Sequence, residues 1–410
     1  MAAIEKNTNL WKKDFPILAQ KGHGKELAYL DSGASAQKPR AVIEAITHFY
    51  ENDYANIHRG VHDLSQRATA SYDRARQTVQ RFINAAHEDE IVFTSGATES
   101  LNLVVASWGR RNLKEGDEVV VTGLEHHANI VPWQLLQKQI PFTLRVVPIE
   151  ANGDVLLEKI QAAITAKTKL VSIAHVSNAF GTILPVEDVI AFAHARGIPV
   201  MLDGSQAITH MSVNVQKLDA DFYVFSGHKI YGPSGIGVLY GKRSILKDMP
   251  PYQGGGDMIE SVSFEKGTSF QPAPMRFEAG TPPIVQAVGL AAALDYVSAI
   301  GMEVIAAHED DVLRYGQERL GNVPGLRLVG NAPRKCGLLS FVMEGVHPHD
   351  VGTILDSEGV AVRAGHHCAQ PAMEALGLMA TVRASLGLYN TRQDMDELVA
   401  ALHKVREIFG

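Results

Sequence analysis

FYVFSGHKIYGP (222–233) runs from a block of aromatic and β-branched residues into a lysine, Lys229, within a few positions. The block reads as a buried strand. A lysine just past a strand is ordinarily a solvated loop residue, so its neighbours decide whether it is anything more. The same pattern recurs upstream. EIVFT (90–94), EVVVT (118–122), LRVVPI (144–149), KLVSIAH (169–175) and PVMLD (199–203) are short apolar runs. Between them lie helical patterns over 98–110, 156–164 and 186–196. Near-continuous apolar strands alternating with helices predict a mainly parallel sheet covered on both faces, an α/β domain with ligands at the carboxyl ends of its strands.

Past about residue 290 the texture changes. A long helical stretch from Val285 past Arg319 leads to GLLSFVM (337–343), a helix near 351–357, a strand over 360–363 and a closing helix from Met395. The expectation is a large domain over 22–290 and a smaller α+β domain from 1–21 and 291–410.

Composition narrows the function. Hydrophobic residues make up 46% and charged residues 20% of 410, as in ordinary globular chains. A net charge of −7 without a basic stripe argues against nucleic acid. The start, MAAIEKNTNLWKKDFP, lacks the apolar core of a signal peptide, and the best apolar run, 287–294, is cut by Asp295. No membrane role is expected. Two cysteines, Cys336 and Cys368, make no disulfide framework and suggest a cytoplasmic, reducing setting.

The strand ends carry the chemistry. EIVFT is followed by SGATES, where Gly96 turns the chain and Ala97, Thr98 and Glu99 open a helix, an anion-binding arrangement. EVVVT leads to His126 and His127, KLVSIAH to Asn178, PVMLD to Asp203 and Gln206, and FYVFS to His228 and Lys229. One sheet edge thus gathers a phosphate cradle, a carboxylate at the end of a buried strand, an aromatic His and a lysine. A buried carboxylate needs a partner, and a protonated pyridine nitrogen supplies one. A desolvated lysine is a competent amine nucleophile. Pyridoxal phosphate (PLP) requires this set, with Lys229 as the Schiff-base lysine. Arg363 or Arg383 offers a planar fork for a substrate carboxylate, although a surface salt bridge is the commoner fate of an arginine. Cys368 follows His366 and His367 in a stretch of little apolar character, unlike Cys336 ahead of GLLSFVM. A loop thiol near positive charge reacts as thiolate. Three adjacent residues cannot easily surround one ion, so no metal is expected.

DSGASAQKP (31–39), HRGVHDLS (58–65), TSGATES (94–100), EHHANIVPW (125–133), DGSQA (203–207), FSGHKIYGPSGIG (225–237), RFEAGTP (276–282), RAGHHCAQP (363–371) and RASLGLYN (383–390) together resemble the group II, SufS-type cysteine desulfurases. The resemblance implies a fold-type-I PLP-dependent homodimer that converts L-cysteine to L-alanine. It implies a persulfide left on the enzyme for iron–sulfur cluster assembly through a SufE- or SufU-type acceptor, with selenocysteine lyase as a side activity. It makes Lys229 the PLP lysine, Cys368 the persulfide residue, Asp203 the partner of the ring nitrogen and Gln206 a partner of the ring hydroxyl. His126 stacks on the ring. Thr98, Ser226 and His228 hold the phosphate, with Thr281 from the second subunit, and Arg383 binds the substrate carboxylate beside Asn178. Ala97 departs from the pattern, where many relatives carry a second threonine. Gly33 departs as well, with no chemistry attached to it. A PLP aminotransferase leaves Cys368 idle, and a catalytically silent scaffold leaves the whole set idle.

Overall fold

The structure, a computed structural model, describes residues 11–409. The first ten residues of the expected segment 1–21 lie outside them.

Seven strands form the main sheet: β1 (Ile91–Thr94), β2 (Glu118–Thr122), β3 (Thr143–Val147), β4 (Thr168–Ala174), β5 (Val200–Asp203), β6 (Phe222–Ser226) and β7 (Gly237–Gly241). Their order is β1-β7-β6-β5-β4-β2-β3. The pairings β6 to β5, β5 to β4, β4 to β2 and β2 to β3 are parallel. Only β7 runs against its neighbours, between β1 and β6. All six expected strands are present. β7 was not expected, because GVLYG is short and has glycine at both ends.

Side-chain alternation explains the continuous apolar runs. Tyr223 and Phe225 of β6 pack in one buried cluster, whereas Phe222 and Val224 pack in another. Val120 and Val119 of β2 divide in the same way. Both faces are therefore dry. Helices α1 (Arg40–Asn52), α2 (Asp63–Phe82) and α5 (Ile284–Ile300) contribute to the first cluster, together with α4 (Val186–His194). Helix α3 (Ala97–Val104) covers the second and continues through a π-helical turn to Asn112, so the expected helix over 98–110 is one rod with a bulge.

The long helix expected past Val285 is two, α5 and α6 (Met302–Gly321), bent by 76°. Gly301 stands at the break with φ 95°, a conformation glycine adopts without a Cβ penalty. Beyond it, β8 (Leu326–Val329), β9 (Leu338–Met343), β10 (Arg363–Gly365) and β11 (Thr381–Ser385) form an antiparallel sheet in the order β8-β9-β11-β10. With α6, α7 (Pro348–Ser357) and the closing helix Arg392–Phe409 it encloses a second core of its own. Near the N-terminus the chain crosses between cores in a way the expected 21/22 boundary does not describe. Phe15 and Leu18 pack in the larger core, whereas Ala28 and Leu30 pack in the smaller one. The cause is a two-residue strand, Ala28–Tyr29, pairing in parallel with Val360–Ala361, which is too short to show periodicity.

Candidate active site

A cavity of about 320 Å³ opens where the carboxyl ends of the parallel strands face the smaller domain. Eleven of the expected residues line it: Ala97, Thr98, His126, Asn178, Asp203, Ser226, His228, Lys229, Arg363, Cys368 and Arg383.

The strand-end wall is set by backbone packing. At the start of α3, the Ala97 N–H donates to the Ser226 hydroxyl oxygen (2.9 Å), joining the ends of β1 and β6. A Cβ on Gly237 would lie 2.4 Å from the Gly96 Cα, so β7 can run this close to the start of α3 only as glycine. Free N–H groups at the first turn, the Thr98 hydroxyl and the Ser226 hydroxyl then converge as anion donors. His228 is kept neutral by burial first and by Lys229 and Lys38 next, which bring its pKa to about 4. Its carbonyl accepts from the Ala36 N–H (3.0 Å) and from Lys38 Nζ (3.2 Å).

Asp203 is 7% exposed, and its Oδ1 accepts from the Ser205 N–H (3.0 Å). Lys229 stands across from it. Burial lowers the lysine pKa to about 8, although the Asp203 charge pulls the other way. The amine is thus available as a nucleophile or base far below the ordinary lysine range. Burial and Lys229 bring His126 to about 4, so its ring is neutral near pH 7. Its Nδ1 accepts from the Ala128 N–H (3.0 Å), which leaves the ring proton on Nε2. The preceding Glu125 is fully buried and raised to about 7 by desolvation. It accepts from Thr122 Oγ1 (2.6 Å), Asn129 Nδ2 (2.7 Å) and the Ala174 N–H (3.1 Å), tying the His126 segment to β2 and β4.

The facing wall carries the cations. Register places Arg363 of β10 directly opposite Arg383 of β11. Asp31 answers both. It takes a fork from Arg363 (3.1 and 2.9 Å) and a longer contact from Arg383 Nη2 (3.4 Å). Arg363 is half exposed and turns its Nε and Nη2 to Asp31, whereas Arg383 is 2% exposed and gives Nη1 to the Asn178 carbonyl (2.6 Å). The Arg383 Nε has no partner among the described residues. Of the two arginines, Arg383 is the better placed to receive an anion.

Cys368 lies on a turn between β10 and the short helix Gln370–Ala375, and its side chain is exposed. His367 and Cys368 both hold left-handed backbones, φ 54° and 55°. Non-glycine residues there cost of order 1–3 kcal/mol each, so outside contacts must hold the turn. Asn178 Nδ2 donates to the His367 carbonyl, and the His367 ring meets Thr381 Oγ1 at 2.8 Å.

Two of the expected residues do not line this cavity. Gln206 stands behind the wall, because its Nε2 donates to the Gly33 carbonyl (2.8 Å) and so positions the 31–39 loop. Thr281 lines a separate cleft with Ser95, Glu99 and Glu278, away from the cavity of its own chain. Gly33, Ala34, Ala128, Ser205 and His367 also line the cavity and were not expected. Gly33 gains a reason, since a Cβ there would meet Ser385 Cβ at 3.0 Å and Arg383 Cζ at 3.4 Å. The counter-ion role of Asp31 was open to inference, because two arginines at one site require a carboxylate nearby.

The cavity suits PLP in its chemistry, because anion donors, a carboxylate for a pyridine N–H and a low-pKa lysine all line it. Comparisons with known proteins agree. A family profile described as Aminotransferase class-V matches residues 28–398. The chain is 52% identical over 395 residues to a cysteine desulfurase of Synechococcus elongatus, covering 96% of this chain but only 63% of that protein. It is 49% identical over 399 residues to a cysteine desulfurase of Salmonella agona, covering 97% and 98% of the two chains. The crystal structure of the cysteine desulfurase CsdA (S-sulfonic acid) from Escherichia coli superposes with a TM-score of 0.91 at 39% identity, over 98% of this chain and 99% of that one. The chain belongs to the aminotransferase class-V family, among its cysteine desulfurases.

Proposed function

We propose that this protein is a PLP-dependent cysteine desulfurase that takes the sulfur of L-cysteine onto Cys368 as a persulfide and releases L-alanine. One observation carries the reading: a low-pKa lysine and an exposed cysteine line the same cavity, with an unsaturated arginine beside them. Bound there, PLP supplies an electron-withdrawing ring that acidifies the substrate Cα–H and loosens its carbon–sulfur bond. Lys229 would anchor the cofactor, and its low-pKa amine would serve as base for the Cα proton. Asp203 would pair with the ring nitrogen, His126 would stack on the ring, and Thr98, Ser226, His228 and the first turn of α3 would hold the phosphate. Arg383, with Asn178, orients the substrate carboxylate. The Cys368 thiolate accepts the sulfur, so substrate and enzyme thiol together become alanine and persulfide with no outside oxidant.

Further parts of the reading follow from exposure. Ile43, Tyr50, Tyr54, Val61 and Leu64 form an exposed apolar group on α1, α2 and their connection, which suits a homodimer that would bring Thr281 to the partner's phosphate. The open position of Cys368 suits handover to a SufE- or SufU-type acceptor for iron–sulfur assembly, and selenocysteine would fit the same site. Free thiols at Cys336 and Cys368 fit the cytoplasm. The test is alanine and sulfide release from cysteine with and without reductant. Stoichiometric alanine with reductant-dependent sulfide supports the reading; alanine release without any persulfide on the enzyme refutes it.

A further inference from the structure

The turn that carries Cys368 is strained, and part of what holds it comes from across the cavity. The His127 backbone N–H donates to the Cys368 carbonyl (2.7 Å), and the His127 ring Nε2 accepts from the Gln370 N–H (3.1 Å). Gln370 is the first residue of the helix Gln370–Ala375, so its N–H is one of the donors no helical partner can satisfy. The residue before it, Ala369, has no side-chain oxygen to cap that end. An imidazole from another segment supplies the missing acceptor. We propose that His127 is a positioning residue that clamps the Cys368 turn in its sulfur-accepting place, and that the clamp closes only while its ring is neutral.

The chemistry sets the direction. Nε2 can accept only when unprotonated, so the clamped ring carries its proton on Nδ1. Protonation turns Nε2 into a donor facing an N–H, and it sets a cation at a helix N-terminus, where cations are disfavoured. The groups facing the ring are His126 on its own segment (ring centroids 6.3 Å apart), His366 and Cys368 on the turn, and Glu374 one helical turn on, which accepts from the Gln370 amide (2.8 Å). Burial, and then His366, hold the His127 pKa below the ordinary value of 6.5. The clamp is therefore closed at neutral pH and releases as the pH falls through that lowered pKa.

This inference rests on the desulfurase reading for what Cys368 does, but the clamp can be measured without substrate. The experiment compares the parent holoenzyme with His127→Gln, whose side-chain oxygen reaches about as far as Nε2 and does not titrate, and with His127→Leu. Two readouts are taken: hydrogen-exchange protection of the peptide spanning 366–376, and the single-turnover rate of persulfide formation on Cys368. At neutral pH, His127→Leu should lose protection and slow persulfide formation by roughly tenfold, with cofactor binding, KM and Cα-proton exchange unchanged, because only the placement of the thiolate is disturbed. His127→Gln should keep both. On acidification the parent should lose protection, corrected for intrinsic exchange, while His127→Gln should hold it. Parent-like protection and rate in His127→Leu would overturn the proposal, as would an acid loss in His127→Gln equal to the parent's. Alanine production by Cys368→Ala would instead overturn the desulfurase reading and leave the exchange result standing.

Discussion

On the strand-end wall, Asp203 ends a buried strand, the His126 and Lys229 segments follow two others, and the buried Glu125 carboxyl group ties the His126 segment to β2 and β4. On the facing wall, Cys368 sits on a turn with two left-handed residues, exposed, and held by a few hydrogen bonds from His127, Asn178 and Thr381. The first wall is fixed by a core that would survive the loss of any one polar contact. The second depends on such contacts one at a time. Chemistry at a cofactor needs groups that do not move, whereas a sulfur carrier must meet a substrate inside and an acceptor outside. The difference assigns rigidity to one reactive residue and exposure to the other.

The largest effect should come from the rigid wall. Lys229→Ala should abolish turnover while circular dichroism and thermal unfolding stay near the parent's, because a single cavity-facing lysine is lost from a preformed site. Normal activity in that variant, with a borohydride-reducible adduct on another lysine, would break the comparison at its root. A smaller effect is expected between the walls. Arg383→Lys removes the fork that holds the Asn178 carbonyl and Asp31, and it should raise KM for cysteine about 10- to 100-fold, as for losing charged hydrogen bonds. An unchanged KM would show that Arg383 does not meet the carboxylate. The smallest effect should come from Gly33→Ala. Its new Cβ presses on Ser385 and Arg383, and we expect about 1 kcal/mol of lost stability by denaturant titration and a KM raised by a few-fold. A stability loss with no change in KM would separate that packing from the substrate side of the cavity.

Much of the strand-end wall was legible because it follows from continuous apolar runs, whose lengths and flanking turns fix both the strand and the residue that ends it. FYVFS and PVMLD led directly to Lys229 and Asp203 in this way. The facing wall was less legible. β11 is TVRAS, whose central arginine breaks the apolar pattern because the residue serves the cavity rather than the core. β8 is LRLV, alternating and only four residues long. Asp31 stood in a quoted motif without a role, since its function is to answer arginines more than 330 positions away. The Gln206 amide meets the Gly33 carbonyl, a partner 173 positions away that adjacency to Asp203 does not name. The break at Gly301 was hidden by helical periodicity on both sides of it.

The two cysteines test the account most directly. Cys336 is partly buried, and burial pushes its thiol well above the ordinary value, whereas Cys368 lines the cavity. The measurement is a single turnover with L-cysteine in Cys368→Ala and Cys336→Ala side by side, reading alanine release and the mass of both cysteine-containing peptides. The account predicts that Cys336→Ala releases alanine at the parent rate and gains one sulfur on the Cys368 peptide, at a stability cost of no more than ~1 kcal/mol. It predicts that Cys368→Ala binds the cofactor, releases no alanine and gains no sulfur anywhere. Parent-rate alanine from Cys368→Ala, or a persulfide on Cys336, would contradict it.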